Sequence, residues 1–277
     1  MFGNLWSQLS LKNFLAKHDN PYVFISSQWQ NDKSVPNGKY LIYRITVTIY
    51  LFLTWLLSIV LDNVVDKWPI YLTNWGYTTC TLQSLLASLM LLGSYVSMRR
   101  GKGELIKTFW KAYPVYWILN TIATPTAFGI TTIYWSIIYD PKKMNFTAIN
   151  FFVHGSNSLV MFFDVWIVCH PIKLLHFIYP IIFGVFYVSF SAVYFVAGGT
   201  ARGGTKYIYK FVDWEHPFST ILTCLGITCF LLLLHLLSYG LSQARMKLHE
   251  TCCVKKHDVS TRDQRKRDAA YVNDVFC

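Results

Sequence analysis

His154, Asn150, Asn157 and Asp164 stand at spacings that assemble a polar stripe inside an apolar run. With Met161 they recur every three or four residues within positions 146–168, so an α-helix carries all five on one face. The run is long enough to cross a bilayer and places the imidazole near its midplane. Burying such a group without a partner costs on the order of a few kcal/mol, so partners are expected. Thr73, early in another apolar run, is a candidate partner. A threonine hydroxyl becomes nucleophilic when a base takes its proton, and a neutral imidazole is such a base. The second reading needs no chemistry: Asn150 and Asn157 hydrogen-bond neighbouring helices, His154 is satisfied in the same network, and Thr73 starts a helix or bonds a carbonyl. Asp164 lies close to the end of its run, and His170, His176 and His235 fall near the same boundary. Their spacing matches no metal-ligand pattern, so neither metal nor cofactor is expected.

These residues need membrane helices to position them. The chain is 53% hydrophobic and 14% charged, with a mean hydropathy of +0.33. Its apolar residues gather into six runs, at 40–61, 71–97, 114–139, 146–168, 174–196 and 217–241. None shows the period-two alternation of barrel strands, so the expectation is an all-α polytopic membrane protein, a bundle of six transmembrane helices. Pro125 in the third run cannot donate to the Thr121 carbonyl, which predicts a kink among Asn120, Thr121, Thr124 and Thr126. The domain reading is a 1–39 tail with an interfacial helix carrying Phe2, Leu5, Trp6 and Leu9, a 40–241 membrane domain, and a basic, solvated 242–277 tail.

With six spans, both tails share a side with the loops after spans two and four. Those segments hold 18 of the 25 Lys and Arg residues, against six on the other side, and Arg44 sits at the start of span one where its stem can snorkel. The positive-inside rule therefore puts both termini in the cytoplasm of an integral membrane protein, expected in the plasma membrane. The net charge of +11 then faces anionic lipid, and other membrane proteins are possible partners, while nucleic acid is not expected. The seven cysteines do not suggest a disulfide framework. Cys252 and Cys253 follow the last span beside basic residues, which suits palmitoylation as well as simple free thiols. The outward loops, 62–70, 140–145 and 197–216, fall below the usual domain minimum of about 50 residues, which argues against a folded ectodomain. The second carries a glycosylation triplet, Asn145-Phe146-Thr147, that abuts span four, which limits access by the transferase. No internal repeat relates the first three spans to the last three, which argues against a secondary transporter.

At the level of motifs the chain resembles the rolling stone proteins of insects: MFGNLW at 1–6, SQWQ at 27–30, YLTNWG at 71–76, FFVHGSNSLVMFFD at 151–164 and DWEHP at 213–217. The resemblance implies a multipass membrane protein of the mesoderm with a developmental role in myoblast fusion during myogenesis. A remoter resemblance, confined to short motifs, is to the androgen-induced integral membrane hydrolases, which cleave fatty acid esters of hydroxy fatty acids. It implies Thr73 as nucleophile and His154 as base.

Overall fold

Asn37 starts the first long helix: its side-chain oxygen accepts from the backbone N–H groups of Lys39 and Tyr40 at 2.8 and 3.3 Å. The computed structural model describes residues 10–101, 111–143 and 145–254. Among these, seven α-helices follow in order: α1 Gly38–Val60, α2 Leu72–Arg99, α3 Tyr113–Ile133, α4 Ala148–Phe151, α5 Asn157–Ile167, α6 Ile178–Val196 and α7 Pro217–His249. Among the described residues there is no β-strand, only isolated bridges at Ser27–Val168 and Tyr209–Val212. Local chemistry sets several ends. Gly101, at φ +65°, closes α2 in the left-handed conformation that favours glycine. Pro114 and Pro217 sit in the first turns of α3 and α7, where no N–H is needed.

Four stretches are long and apolar enough to cross a membrane: Gly38–Val60, Leu72–Arg99, Leu174–Val196 and Pro217–Cys252. The six-span count is therefore not reached on length and hydropathy alone. The third expected run is helical, but Asn120, Thr121, Thr124 and Thr126 lower its apolar content. The fourth is divided by a π-helical turn, Phe152–Ser156, between α4 and α5. Pro125, where a kink is expected, does not interrupt the helix. α3 stays α-helical through the proline, with the Thr124 hydroxyl donating to the Asn120 carbonyl at 2.9 Å. Regular geometry gives way instead at a second π turn, Tyr134–Ile138.

Lipid supplies no net hydrophobic attraction between helices, so close packing and hydrogen bonds must hold the bundle. The α1–α2 seam does this with small hydroxyl residues: the Thr48 hydroxyl lies 2.8 and 2.7 Å from those of Ser84 and Ser88. The Trp55 indole donates to Thr78 at 2.9 Å, and Thr54 pairs with Tyr77. α2 is the central helix, with 56% of its apolar stretch buried, against 17% for those containing α6 and α7. Those outer helices turn Val185, Phe186, Val193, Leu222 and Leu225 outward, a surface suited to lipid.

The N-terminal segment is more than a tail. Phe24 and Ile25 are buried against Trp117, Tyr116 and Leu91 at one end of the bundle. Gln28 N–H donates to the Ile167 carbonyl at 2.9 Å, and the Trp29 indole to the Trp166 carbonyl at 2.7 Å, so the segment satisfies the free end of α5. Trp29 also meets His249 of α7, with ring centroids 5.9 Å apart, placing the N-terminal segment and the end of α7 on the same side. The interfacial-helix residues Phe2 to Leu9 and the tail beyond Val254 lie outside the described residues.

Gly76 sets the closest approach of α2 and α3. A Cβ there meets Ile130 Cδ1 at 2.5 Å and Thr126 Cγ2 at 2.9 Å. Gly76→Leu is therefore expected to cost about 1–3 kcal/mol through overpacking. In detergent its apparent melting temperature falls by several degrees, whereas Gly226→Leu, whose Cβ meets nothing within 4 Å, leaves it unchanged.

Candidate functional site

Arg44 and Asp164 form an ion pair at 2.9 Å, each 1% exposed. Two ions taken out of water are tolerated only when their remaining donors and acceptors are also met, and here they are. Arg44 Nε donates to the Tyr40 hydroxyl at 2.9 Å and its second terminal nitrogen to the Tyr116 hydroxyl at 2.7 Å. Asp164 Oδ1 also accepts from Tyr43 at 3.0 Å, and Oδ2 from Asn120 Nδ2 at 3.3 Å. Asn120 donates on to Gln83 Oε1 at 3.2 Å. Since the Tyr116 oxygen already accepts from Arg44, the phenol donates to His170 Nε2, 2.9 Å away, which puts the imidazole proton on Nδ1, a nitrogen with no partner among the described residues. One network thus joins α1, α2, α3 and α5.

A second arginine closes the same end. Arg245 of α7 is fully buried and donates to the carbonyls of Val165 and His170 at 2.8 and 2.9 Å. A cation at the last carbonyls of α5 meets the negative end of the helix dipole. His235 offers a ring N–H to backbone carbonyls in the segment that follows α5. It is buried rather than interfacial, with Nε2 3.1 Å from the carbonyls of Lys173 and Leu174. His176 is buried as well. Among the described residues no cluster of His, Cys, Asp or Glu is arranged to hold a metal ion.

The stripe read from the sequence divides at the π turn. Asn157, Met161 and Asp164 of α5 point inward, 0%, 0% and 1% exposed. The extra residue accommodated by a π turn shifts the helical phase. Continuing back along the chain, the inward face passes to Val153 and Ile149, which pack with Leu51, Tyr77 and Met161. Asn150 is displaced from that face: its backbone N–H donates to Thr147 Oγ1, and its amide to the Asn145 carbonyl, both at 3.3 Å. His154 is displaced likewise. Its ring stacks on Tyr134, centroids 3.5 Å apart and planes within 5°, and its carbonyl accepts from the Trp135 indole at 3.1 Å. His154 Nδ1 has no hydrogen-bond partner among the described residues. The π turns Tyr134–Ile138 and Phe152–Ser156 therefore face each other across this stack.

Thr73 is the second residue of α2, 9% exposed and beside Tyr209. It lines a cavity of about 350 Å³ between the start of α2, the end of α3, α6 and α7. Tyr134 lines the same cavity, but His154 is not in its wall. The imidazole lies behind the Tyr134 ring, so Thr73 has a phenol and not the histidine as its neighbour. The loop above the cavity is pinned by Arg202–Asp62 and Lys206–Glu215 pairs. Glu215 holds the exposed Lys206 ammonium above its ordinary pKa. Gly199 in this loop lies under the Tyr194 ring, which a Cβ would meet at 2.5 Å. Cys80, Cys169, Cys224, Cys229 and Cys252 are free, and Cys252 is exposed; the Cys253 side chain lies outside the described residues.

A family model described as Protein rolling stone matches residues 4–259. The chain belongs to the rolling stone family. It is also 28% identical over 241 residues to the protein named rolling stone of Drosophila melanogaster, covering 84% of this chain and 87% of that relative. No solved structure matches it. In this rolling stone family member, sequence reasoning passed over Arg44, Tyr40, Tyr43, Tyr116, Gln83 and Arg245. The usable signal was Arg44: a basic residue within an apolar run and an acidic residue within another demand each other in lipid.

Removing one member of the pair strands the other. Asp164→Ala is expected to cost about 3–5 kcal/mol and to abolish recovery of monodisperse protein. The double variant Arg44→Met with Asp164→Leu recovers much of that loss, because it removes both charges and keeps volume. Size-exclusion yield and thermal denaturation in detergent check both outcomes.

Proposed function

We propose that this chain serves myoblast fusion during muscle development, as a multipass protein of the plasma membrane with both termini in the cytoplasm. The observation that carries the reading is the family match through residues 4–259. It is supported by the motifs shared with the rolling stone proteins of insects and by the excess of basic residues assigned to the terminal side. The outward loops are too small to be independent adhesion domains, so the protein acts within the bilayer or on neighbouring membrane proteins. Its basic face lies against anionic lipid.

Hydrolysis of lipid esters by Thr73 and His154 is not favoured. Tyr134 stands against the imidazole, and Thr73 has Tyr209 beside it. A nucleophile and its base need hydrogen-bond reach or one bridging water.

Complementation of fusion-defective myoblasts tests the role. Wild type, Thr73→Ala and His154→Ala are each expected to restore multinucleate cells at matched surface levels, with no release of fatty acid from lipid esters by the purified proteins. Failure of wild type to restore fusion while reaching the surface overturns the fusion role. Epitope tags at both ends are expected to be reached by antibody only after permeabilisation, and staining of intact cells at either tag overturns the orientation.

A further inference from the structure

The cavity beside Thr73 has a chemistry that the proposed role does not use. Its volume, about 350 Å³, falls in the range of small-molecule pockets, roughly 300–1,000 Å³. The wall is almost wholly apolar, and none of its lining residues is charged. An anionic ligand would lie there without a counter-ion, at a cost that hydrocarbon surroundings make prohibitive. Two hydroxyls in the wall, Tyr134 OH and Thr126 Oγ1, are buried in residues only 5% and 6% exposed and have no hydrogen-bond partner among the described residues. A stranded hydroxyl is costly in hydrocarbon, and a ligand offering one hydroxyl offsets that cost.

The rim shows how such a ligand enters. Val185 of α6 and Leu225 of α7 line the cavity and are 60% and 58% exposed on the apolar outer surface, so the opening faces lipid between these two helices. Gly184 widens it. This residue also lines the cavity, and a Cβ built there meets nothing within 4 Å. At one end Tyr209, Phe211 and Trp214 supply amphipathic rings of the kind that sit at a membrane interface.

We infer that the cavity between α2, α3, α6 and α7 is a binding site for a neutral, hydroxyl-bearing lipid entering sideways from the bilayer. Sterols and monoacylglycerols share that chemistry, and the experiment separates them. Full-length protein in phosphatidylcholine nanodiscs is irradiated with a diazirine sterol, a diazirine monoacylglycerol or a diazirine fatty acid, and labelled peptides are mapped by mass spectrometry. One of the two neutral probes is expected to label residues 184–188 and 224–231, with labelling reduced at least tenfold by excess of its unlabelled parent lipid and unaffected by the fatty acid. Gly184→Trp fills the opening and cuts this saturable labelling at least tenfold. The double variant Tyr134→Phe with Thr126→Val weakens competition about fivefold, the loss expected for neutral hydrogen bonds.

Nonsaturable labelling, no heavier on cavity residues than on the outward-facing Val193, overturns the proposal, as does equal competition by the fatty acid. Gly184→Leu replaces the tryptophan variant if that protein is not monodisperse. Unchanged saturable labelling in a folded Gly184 variant likewise overturns it. None of these readouts depends on cell fusion, so a failure here is distinct from a failure of complementation.

Discussion

The ion pair between Arg44 and Asp164 is the constraint around which the rest of the bundle is arranged. In a low-dielectric interior a charge needs every donor or acceptor met, and each of the two side chains presents several. Tyr40, Tyr43 and Tyr116 supply phenols at the required places, Asn120 meets the second carboxylate oxygen, and His170 takes the proton that Tyr116 has left to give. The consequence is positional. Four helices and the turn after α5 are held in one relative placement, because sliding any of them breaks a bond in the network around the buried pair. Arg245 adds α7 to the same end by holding the last carbonyls of α5.

The opposite end is built differently. There the contacts are ring on ring and glycine under ring, with two π turns in place of regular helix. The Tyr134 and Thr126 hydroxyls and His154 Nδ1 lack partners there among the described residues. At the other end Arg44 and Asp164 are bonded by Tyr40, Tyr43, Tyr116 and Asn120, although Arg245 Nε and Nδ1 of His170, His176 and His235 have no partner among the described residues. The bundle is tied by a buried ion pair at one end and by ring packing at the other, and the cavity is found at the second.

Much of this was legible in the sequence. The apolar runs gave the helices and nearly all their bounds, because lipid leaves the backbone no other way to meet its own hydrogen bonds. Asn157 and Asp164 stood out through their spacing, and both are buried. Helical periodicity failed at Asn150 and His154, since it assumes 3.6 residues per turn throughout and a π turn leaves no mark in residue type. Asp164 was undervalued by its nearness to the end of its run, and Arg44 by the expectation that its stem would carry the charge to water. Both judgements measured depth along a single helix. Burial at that end comes instead from the segment around Phe24 and Ile25, which folds over it and which its polar neighbours Ser26, Ser27, Gln28 and Gln30 disguise as a tail.

The π turn at Phe152–Ser156 also bears on how relatives are compared. It behaves as a one-residue insertion that leaves each flanking helix seated against its own neighbours. A homologue with the same spacing but no π turn would run as unbroken α-helix, and its histidine would face the core occupied here by Val153. Two chains can thus share a histidine at aligned positions and place it in different surroundings. Whether the helix between His154 and Asp164 carries the π turn, more than the identity of either residue, decides whether a role can be carried from one family member to another.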